Sequence, residues 1–153
     1  MMIGHWLAVK DGEPAAISLY KRHYTYHKYK DNRRLVGRNR NLIVGPGKKM
    51  VLITPDYKAL FVWRKFIDKS GQNGVNCAVF RNESPTLSSE LIKEACDLAW
   101  NRWPGERLYT YVNGKIVKGD GKCFKAAGWK KLSQRTKGGL IILEIEPKPE
   151  EGK

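Results

Sequence analysis

What is scarce in this sequence narrows its class first. No apolar run reaches the 18 or so residues that a membrane span needs, and the stretch from Met1 to Lys10 lacks the long apolar region of a signal peptide. Cysteine is rare. Cys77, Cys96 and Cys123 form an odd, scattered trio without metal-ligand spacing, which reads as reduced, mostly buried thiols and excludes a disulfide framework. Cys123 opens a short helix near lysines, so a reactive thiol is the alternative to core packing there. Internal repeats and low-complexity runs are absent, which excludes solenoids. Acidic residues are also in short supply: fifteen Asp and Glu face twenty-nine Lys and Arg, a net charge of +14 over 153 residues. That imbalance points to a polyanionic partner, most often nucleic acid, against the plainer alternative of a basic surface with no specific partner. The expectation is a cytoplasmic protein with no membrane partner, one domain over 1–146 and a polar, frayed tail over 147–153.

What is present is a series of short apolar runs punctuated by turn residues. Trp6 to Val9 predicts a first strand, followed by an Asp11-Gly12-Glu13-Pro14 turn and a helix from Ala15 to about Tyr26, with Ile17, Tyr20 and Tyr24 on one face. Met50–Thr54 and Ala59–Phe66 predict an antiparallel hairpin about Pro55-Asp56-Tyr57. Ser70 to Gly74 is a turn into the run Val75–Phe80. Ser88–Trp103 is a helix: Leu91, Ala95 and Ala99 recur at i, i+4 and i+8, Ser88 or Ser89 is the candidate N-cap, and Pro104-Gly105 stops it. Leu108–Val112, bounded by Pro104-Gly105 and Asn113-Gly114, is a strand. Strand, helix, strand with short connections is a βαβ unit, so Val75–Phe80 and Leu108–Val112 should run parallel. Lys122–Ala127 allows about a turn and a half of helix, ended by Gly128. Lys130–Ser133 and Leu140–Ile145 close the chain as two strands about Lys137-Gly138-Gly139. The fold class is α/β (α+β), a mixed sheet of six or seven strands flanked by helices.

Several residues carry candidate chemistry. From Lys21 to Lys30 basic and aromatic side chains interleave, and Arg33, Arg34, Arg38 and Arg40 follow. Cations hold phosphates and rings stack on exposed bases, so Arg22, Lys28 and these four arginines are the candidate nucleic-acid contacts; a solvated helix face running into a loop is the alternative. His23 is the best general base by type, and Tyr24, Tyr109 and Tyr111 could stack or donate. Tyr109 and Tyr111 are two apart and leave one face of their strand, where a core role competes. Asn82 and Ser84 could orient a donor or acceptor, against a turn-forming role for Asn82. Ser88 and Ser89 could meet a phosphate, against simple capping. His23 and His27 stand at i, i+4, but no Glu lies between them as in a zincin, and no metal is assigned.

The order of elements resembles the GNAT acyltransferase fold, in which two parallel central strands splay apart and the acyl donor lies in the opening. Here those strands would be Val75–Phe80 and Leu108–Val112, and Cys123 to Trp129 is similar to that family's short helix before its penultimate strand. A narrower resemblance is to the Mom family of phage DNA-modification proteins, a divergent GNAT branch. It rests on Arg22-His23-Tyr24, Val44-Gly45-Pro46-Gly47, Tyr109 to Asn113, and Cys123-Phe124 through Gly128-Trp129. That resemblance implies transfer of an acyl-type (acetamido- or glycyl-like) group to the exocyclic amine of a flipped adenine in double-stranded DNA. Such a protein would be phage- or prophage-encoded, work in a bacterial cytoplasm and protect DNA from restriction. It further implies His23, Tyr24, Ser84, Tyr109 and Tyr111 as catalytic residues, with Asn82, Ser88, Ser89, Cys123 and Phe124 near the donor. Where ordinary GNAT enzymes carry a glycine-rich pyrophosphate loop, this chain reads Arg81 to Ser89 with no glycine and with Pro85. Where many carry a tyrosine acid, it has Phe124. The donor is therefore either acetyl-coenzyme A or an aminoacyl-tRNA. Two other classes remain: an acetyl-coenzyme A-dependent N-acetyltransferase acting on a small molecule or protein, and a non-catalytic nucleic-acid-binding module.

Overall fold

Alternation along the central strands produces a sheet with two buried faces. The computed structural model describes residues 2–23, 42–44, 47–66, 71–116, 119 and 121–147. In chain order the elements are β1 (Met2–Ile3), β2 (Trp6–Val9), α1 (Pro14–Lys21), β3 (Lys48–Ile53), β4 (Ala59–Lys65), β5 (Val75–Asn82), α2 (Ser88–Arg102), β6 (Leu108–Val112), α3 (Lys122–Ala126), β7 (Lys130–Arg135) and β8 (Ile141–Ile145). The sheet order is β1-β2-β3-β4-β5-β6-β8-β7. All neighbours are antiparallel except β5 and β6, which are parallel. On one face Trp6, Leu52, Phe61, Trp63, Cys77, Leu108 and Leu143 pack against Leu91, Ile92, Ala95 and Ala99 of α2 and Phe124 of α3. On the other face, Val51, Ile53, Leu60, Val62 and Val79 pack against Ala16, Ile17, Leu19 and Tyr20 of α1. Trp6 and Trp63 donate their indole N–H groups to the α2 carbonyls of Leu91 (2.8 Å) and Ala95 (2.9 Å), so the large rings are buried without orphaned donors. No helix among the described residues is long and apolar enough to cross a membrane.

The sheet has the expected strands plus one. Seven strands run four residues or more, and β1 adds a two-residue edge paired Met2↔Leu7 and Ile3↔Trp6. Its turn is held to α2 by Glu94, which accepts from the His5 backbone N–H (2.5 Å) and meets His5 Nδ1 (2.7 Å). Gly4 sits at φ +59, and a Cβ there would collide with Glu94 Oε1, so this contact needs glycine.

Two helix boundaries differ from expectation. α1 stops at Lys21 because the Arg22 and His23 backbone N–H groups turn back to the Leu19 and Tyr20 carbonyls (3.1 and 2.9 Å), and Arg22 caps the end. Tyr24, expected inside that helix, lies outside the described residues. α2 begins after Leu87, an extended N-cap without a side-chain cap bond, so neither Ser88 nor Ser89 is the cap. Ser88 Oγ accepts instead from Asn82 Nδ2 (2.9 Å). α3 ends as expected: Gly128 takes φ +100, and the Trp129 N–H closes back on the Phe124 carbonyl at 3.0 Å.

Candidate active site

The site is built where the two parallel strands come together and then part. Gly74, at φ +120, lets β5 begin against the Arg107 carbonyl. Val75 N–H donates to it at 2.8 Å, and a Cβ on Gly74 would collide with the same oxygen. Val75, Asn76 and Cys77 then pair with Leu108, Tyr109 and Thr110, and the pairing stops. On the other side of β5, Val62 pairs with Val79 but Trp63 pairs with Cys77, which leaves Ala78 as the extra residue of a β-bulge. The bulge bends β5 away from β6 at the residue after their last pair. Thr110 Oγ1 donates to the Cys77 carbonyl (2.9 Å), capping that final rung. Past it, β5 pairs only with β4, while Tyr111 and Val112 pair only with Ile142 and Ile141 of β8. On the α2 side the Phe80 and Phe124 rings meet edge to face at 5.9 Å, so α3 packs against the diverging strand.

The C-terminal end of α1 is fastened to the far end of β5 by a compact charge cluster. Glu83 accepts from Arg22 Nε (2.7 Å) and Nη2 (2.9 Å) and from Arg81 Nε (2.6 Å); Arg81 Nη1 donates to the Arg22 carbonyl (2.8 Å). The Glu83 N–H is anchored on the Lys58 carbonyl (2.7 Å). Hydrogen bonds from Arg22 and then Arg81 hold the Glu83 carboxyl down to about 2. His23 sits in the middle of this fastening, half-buried, with its ring donating to the Phe80 carbonyl. Burial and the neighbouring Arg81 charge push its pKa down to about 4, the carbonyl bond opposing them, so the imidazole is neutral at physiological pH.

The loop from β5 to α2 is stapled by side chains. Asn82 Nδ2 donates to the Thr86 carbonyl (2.7 Å) and to Ser88 Oγ. Its Oδ1 accepts from the Ser84 N–H (2.9 Å) and Ser84 Oγ (2.5 Å), and Ser84 Oγ in turn takes the Thr86 N–H (3.2 Å). Asn82, Ser84 and Ser88 are thus brought together in one network. The amides of Ser84 and Thr86 are engaged, and Pro85 has none. Ser89 is buried in the first turn of α2.

Tyr109 and Tyr111 leave β6 on the α1 face, alternating with Leu108 and Val112 of the α2-side core. Their rings meet edge to face at 5.6 Å, and the Arg107 guanidinium lies 5.2 Å from the Tyr109 centroid. Tyr109 is fully buried, whereas Tyr111, beyond the last rung, is half-buried. Cys123 is half-buried in α3 and Phe124 is in the core. All three cysteines are free, and burial raises each thiol, Cys96 to about 12, which works against a reactive Cys123. Tyr24, His27, Lys28, Arg33, Arg34, Arg38 and Arg40 lie outside the described residues. Glu83 was not singled out from the sequence, although Arg81 and Glu83, two apart at a strand end, share a face; the signal was there, but the partner Arg22 lies far off in the chain.

A mixed sheet whose parallel central strands part at a bulge, with α1 on one face and α2 and α3 on the other, is the GNAT fold. No protein-family profile and no curated protein matches the chain. Among solved structures it is similar to the crystal structure of an acyl-CoA N-acyltransferase from Pseudomonas aeruginosa, with a TM-score of 0.58, 13% identity, and coverage of 92% of this chain and 97% of that one. At that identity the likeness establishes the architecture.

Proposed function

We propose that the protein is a transferase that moves an acyl-type group onto the exocyclic amine of adenine in DNA, as its resemblance to the Mom family implies. The observation that carries this reading is His23: a neutral imidazole against the Phe80 carbonyl of β5, next in the chain to Arg22 of the Arg22–Glu83–Arg81 cluster, in a chain of net charge +14. Adenine N6 is a weak nucleophile because its lone pair is delocalised, and the base must leave the stack to react. As nitrogen bonds to the acyl carbon, its proton becomes strongly acidic. A neutral imidazole can take that proton even with a pKa of about 4, while the bond to the donor's sulfur or oxygen breaks and the leaving group is protonated. Tyr111 would supply a stacking or hydrogen-bonding wall. The engaged Ser84 and Thr86 amides and Pro85 leave the loop with few donors for a pyrophosphate, which supports an aminoacyl-tRNA over acetyl-coenzyme A as the donor. Nucleoside mass spectrometry of DNA from expressing cells tests the reading: an adenine adduct is expected with the wild type and absent with His23→Ala. Unmodified nucleosides from cells that contain the soluble protein would overturn it.

A second reading, an acyl-coenzyme A-dependent N-acyltransferase of a small molecule or protein, draws on the description of the similar solved structure. Titration with coenzyme A separates the two. Chemical-shift changes confined to Ser84–Glu90 would favour the second reading, and no binding would favour the first.

A further inference from the structure

The edge of the sheet formed by α3 and β7 carries cations and no acid. From Gly121 to Gly139 the chain contains Lys122, Lys125, Lys130, Lys131, Arg135 and Lys137, and neither Asp nor Glu. All six are exposed. Lys122, Lys125, Lys130, Arg135 and Lys137 form no ion pair with a described residue. Across the sheet from Lys130, the Glu144 carboxylate accepts from Arg107 Nε at 2.6 Å. Among the described strands β7 is the outermost, paired with β8 alone. One or two charges suffice to keep an edge strand from pairing with another chain. Five cations without an ion pair to a described residue go well past that, and their self-repulsion opposes the compact state unless a polyanion covers them.

We propose that this α3–β7 edge is a docking strip for the sugar-phosphate backbone of duplex DNA. The proposal rests on DNA being the substrate. The length fits: β7 spans roughly 17–20 Å at about 3.3 Å per residue. Over that distance a duplex presents about ten phosphate charges, at roughly one per 1.7 Å. The chemistry selects a duplex over a single strand. Single-strand grooves interleave cations with exposed rings on which bases stack, whereas the aromatic residues here, Phe124 and Trp129, are buried at 6% and 3% exposure. The strip offers point charges and no stacking platform, which suits a backbone whose bases are paired. Arg135 Nη1 is directed at the Gly139 carbonyl (3.3 Å) in the β7–β8 connection, so that cation stays with the edge.

The test compares two variants of equal charge loss. One replaces Lys125, Lys130 and Lys137 by Gln; the other replaces Lys10, Lys48 and Lys58, all exposed on the β2–β4 side of the sheet. Binding of wild type and both variants to a random-sequence duplex is followed by fluorescence anisotropy across a salt series, after melting curves establish that all three fold. The strip variant should bind about tenfold more weakly or worse. Its slope of log affinity against log salt should be shallower by roughly 0.9 for each phosphate it no longer holds, while the control variant keeps the wild-type slope. Equal losses in both variants, or none in the strip variant, would overturn the strip, as would a loss for a single strand or structured RNA larger than that for the duplex. Nucleoside mass spectrometry on the same proteins keeps the two claims apart. An adenine adduct made by the wild type, with unchanged duplex binding by the strip variant, sinks the strip alone. Lost duplex binding in the strip variant with no adduct from the wild type leaves the strip standing and sinks the transferase reading.

Discussion

Three separate segments converge on Glu83, which joins the end of α1, the end of β5 and, through its own amide, the start of β4. Its pKa is depressed, so the folded protein binds that proton less readily than the unfolded chain. The stability it supplies is complete above its ordinary value of 4.5 and is lost as pH falls toward about 2. Glu83→Gln should flatten that part of the acid-unfolding curve, measured as urea midpoint against pH. The group is partly exposed, so added salt should shrink the difference. His23 behaves in a related way with different limits. Its folded pKa also lies below the unfolded one, so burying the neutral ring stabilises the fold above 6.5, and that contribution is lost as pH falls toward about 4. If His23 is the base, kcat/KM should hold level as pH falls through 6.5 and break near 4. A break at 6.5 would assign the proton transfer to an ordinary, exposed histidine. His23→Ala should cost on the order of a hundredfold or more in kcat/KM, a loss read at a temperature where the melting curve shows the variant still folded.

At the scale of elements, the punctuation in the sequence was enough for some boundaries and insufficient for others. Leu108–Val112 between Pro104-Gly105 and Asn113-Gly114, and Trp6–Val9 before Asp11-Gly12, stand as expected because local turn chemistry sets them. The parallel pairing of β5 with β6 also followed from the connection through α2. The bulge at Ala78, the early end of α1 and the uncapped start of α2 did not. The bulge depends on Val62 and Trp63 across the sheet, the end of α1 on backbone N–H groups turning back within its last turn, and the start of α2 on Asn82 taking Ser88 Oγ from six residues upstream. The catalytic proposal shares this limit, since His23 was legible by residue type whereas the burial and the arginine that keep it neutral were not. The parting of the strands depends on their close start, which makes Gly74 the sharpest probe of the element. Gly74→Ala would force an alanine to φ +120 with its Cβ against the Arg107 carbonyl oxygen. The expected cost is about 2–4 kcal/mol from a left-handed backbone and a buried clash together. Hydrogen exchange should show β6 opening more readily than β3 or β4, and uniform loss of protection across the sheet would mean that the strain is not local to this junction.

For the whole molecule the question is whether its charges hold it together or push it apart. Ion pairs such as Lys65–Glu106, Arg22–Glu83 and Arg81–Glu83 involve partly exposed groups, and pairs of that kind contribute about 0–1 kcal/mol apiece. Against them stands a net charge of +14 on 153 residues, a repulsion that acts over the whole surface and is released on unfolding. At an ionic strength of about 0.15 M the screening length is about 8 Å, shorter than most separations between like charges here but longer than the contact distances in the pairs. Salt should therefore weaken the repulsion more than the pairs. Urea, which is uncharged, is the denaturant that reads this cleanly. Raising sodium chloride from low to physiological concentration should move the unfolding midpoint upward with an unchanged m-value. Inorganic polyphosphate at matched ionic strength should move it further, because a ligand bound only by the folded state stabilises it by about 2.7 kcal/mol at a hundred times its Kd. A midpoint that falls with sodium chloride would mean that the paired carboxylates outweigh the excess cations. A midpoint insensitive to polyphosphate would mean that those cations are not arranged to hold a polyanion, and the basic surface would then be no more than a solubilising coat.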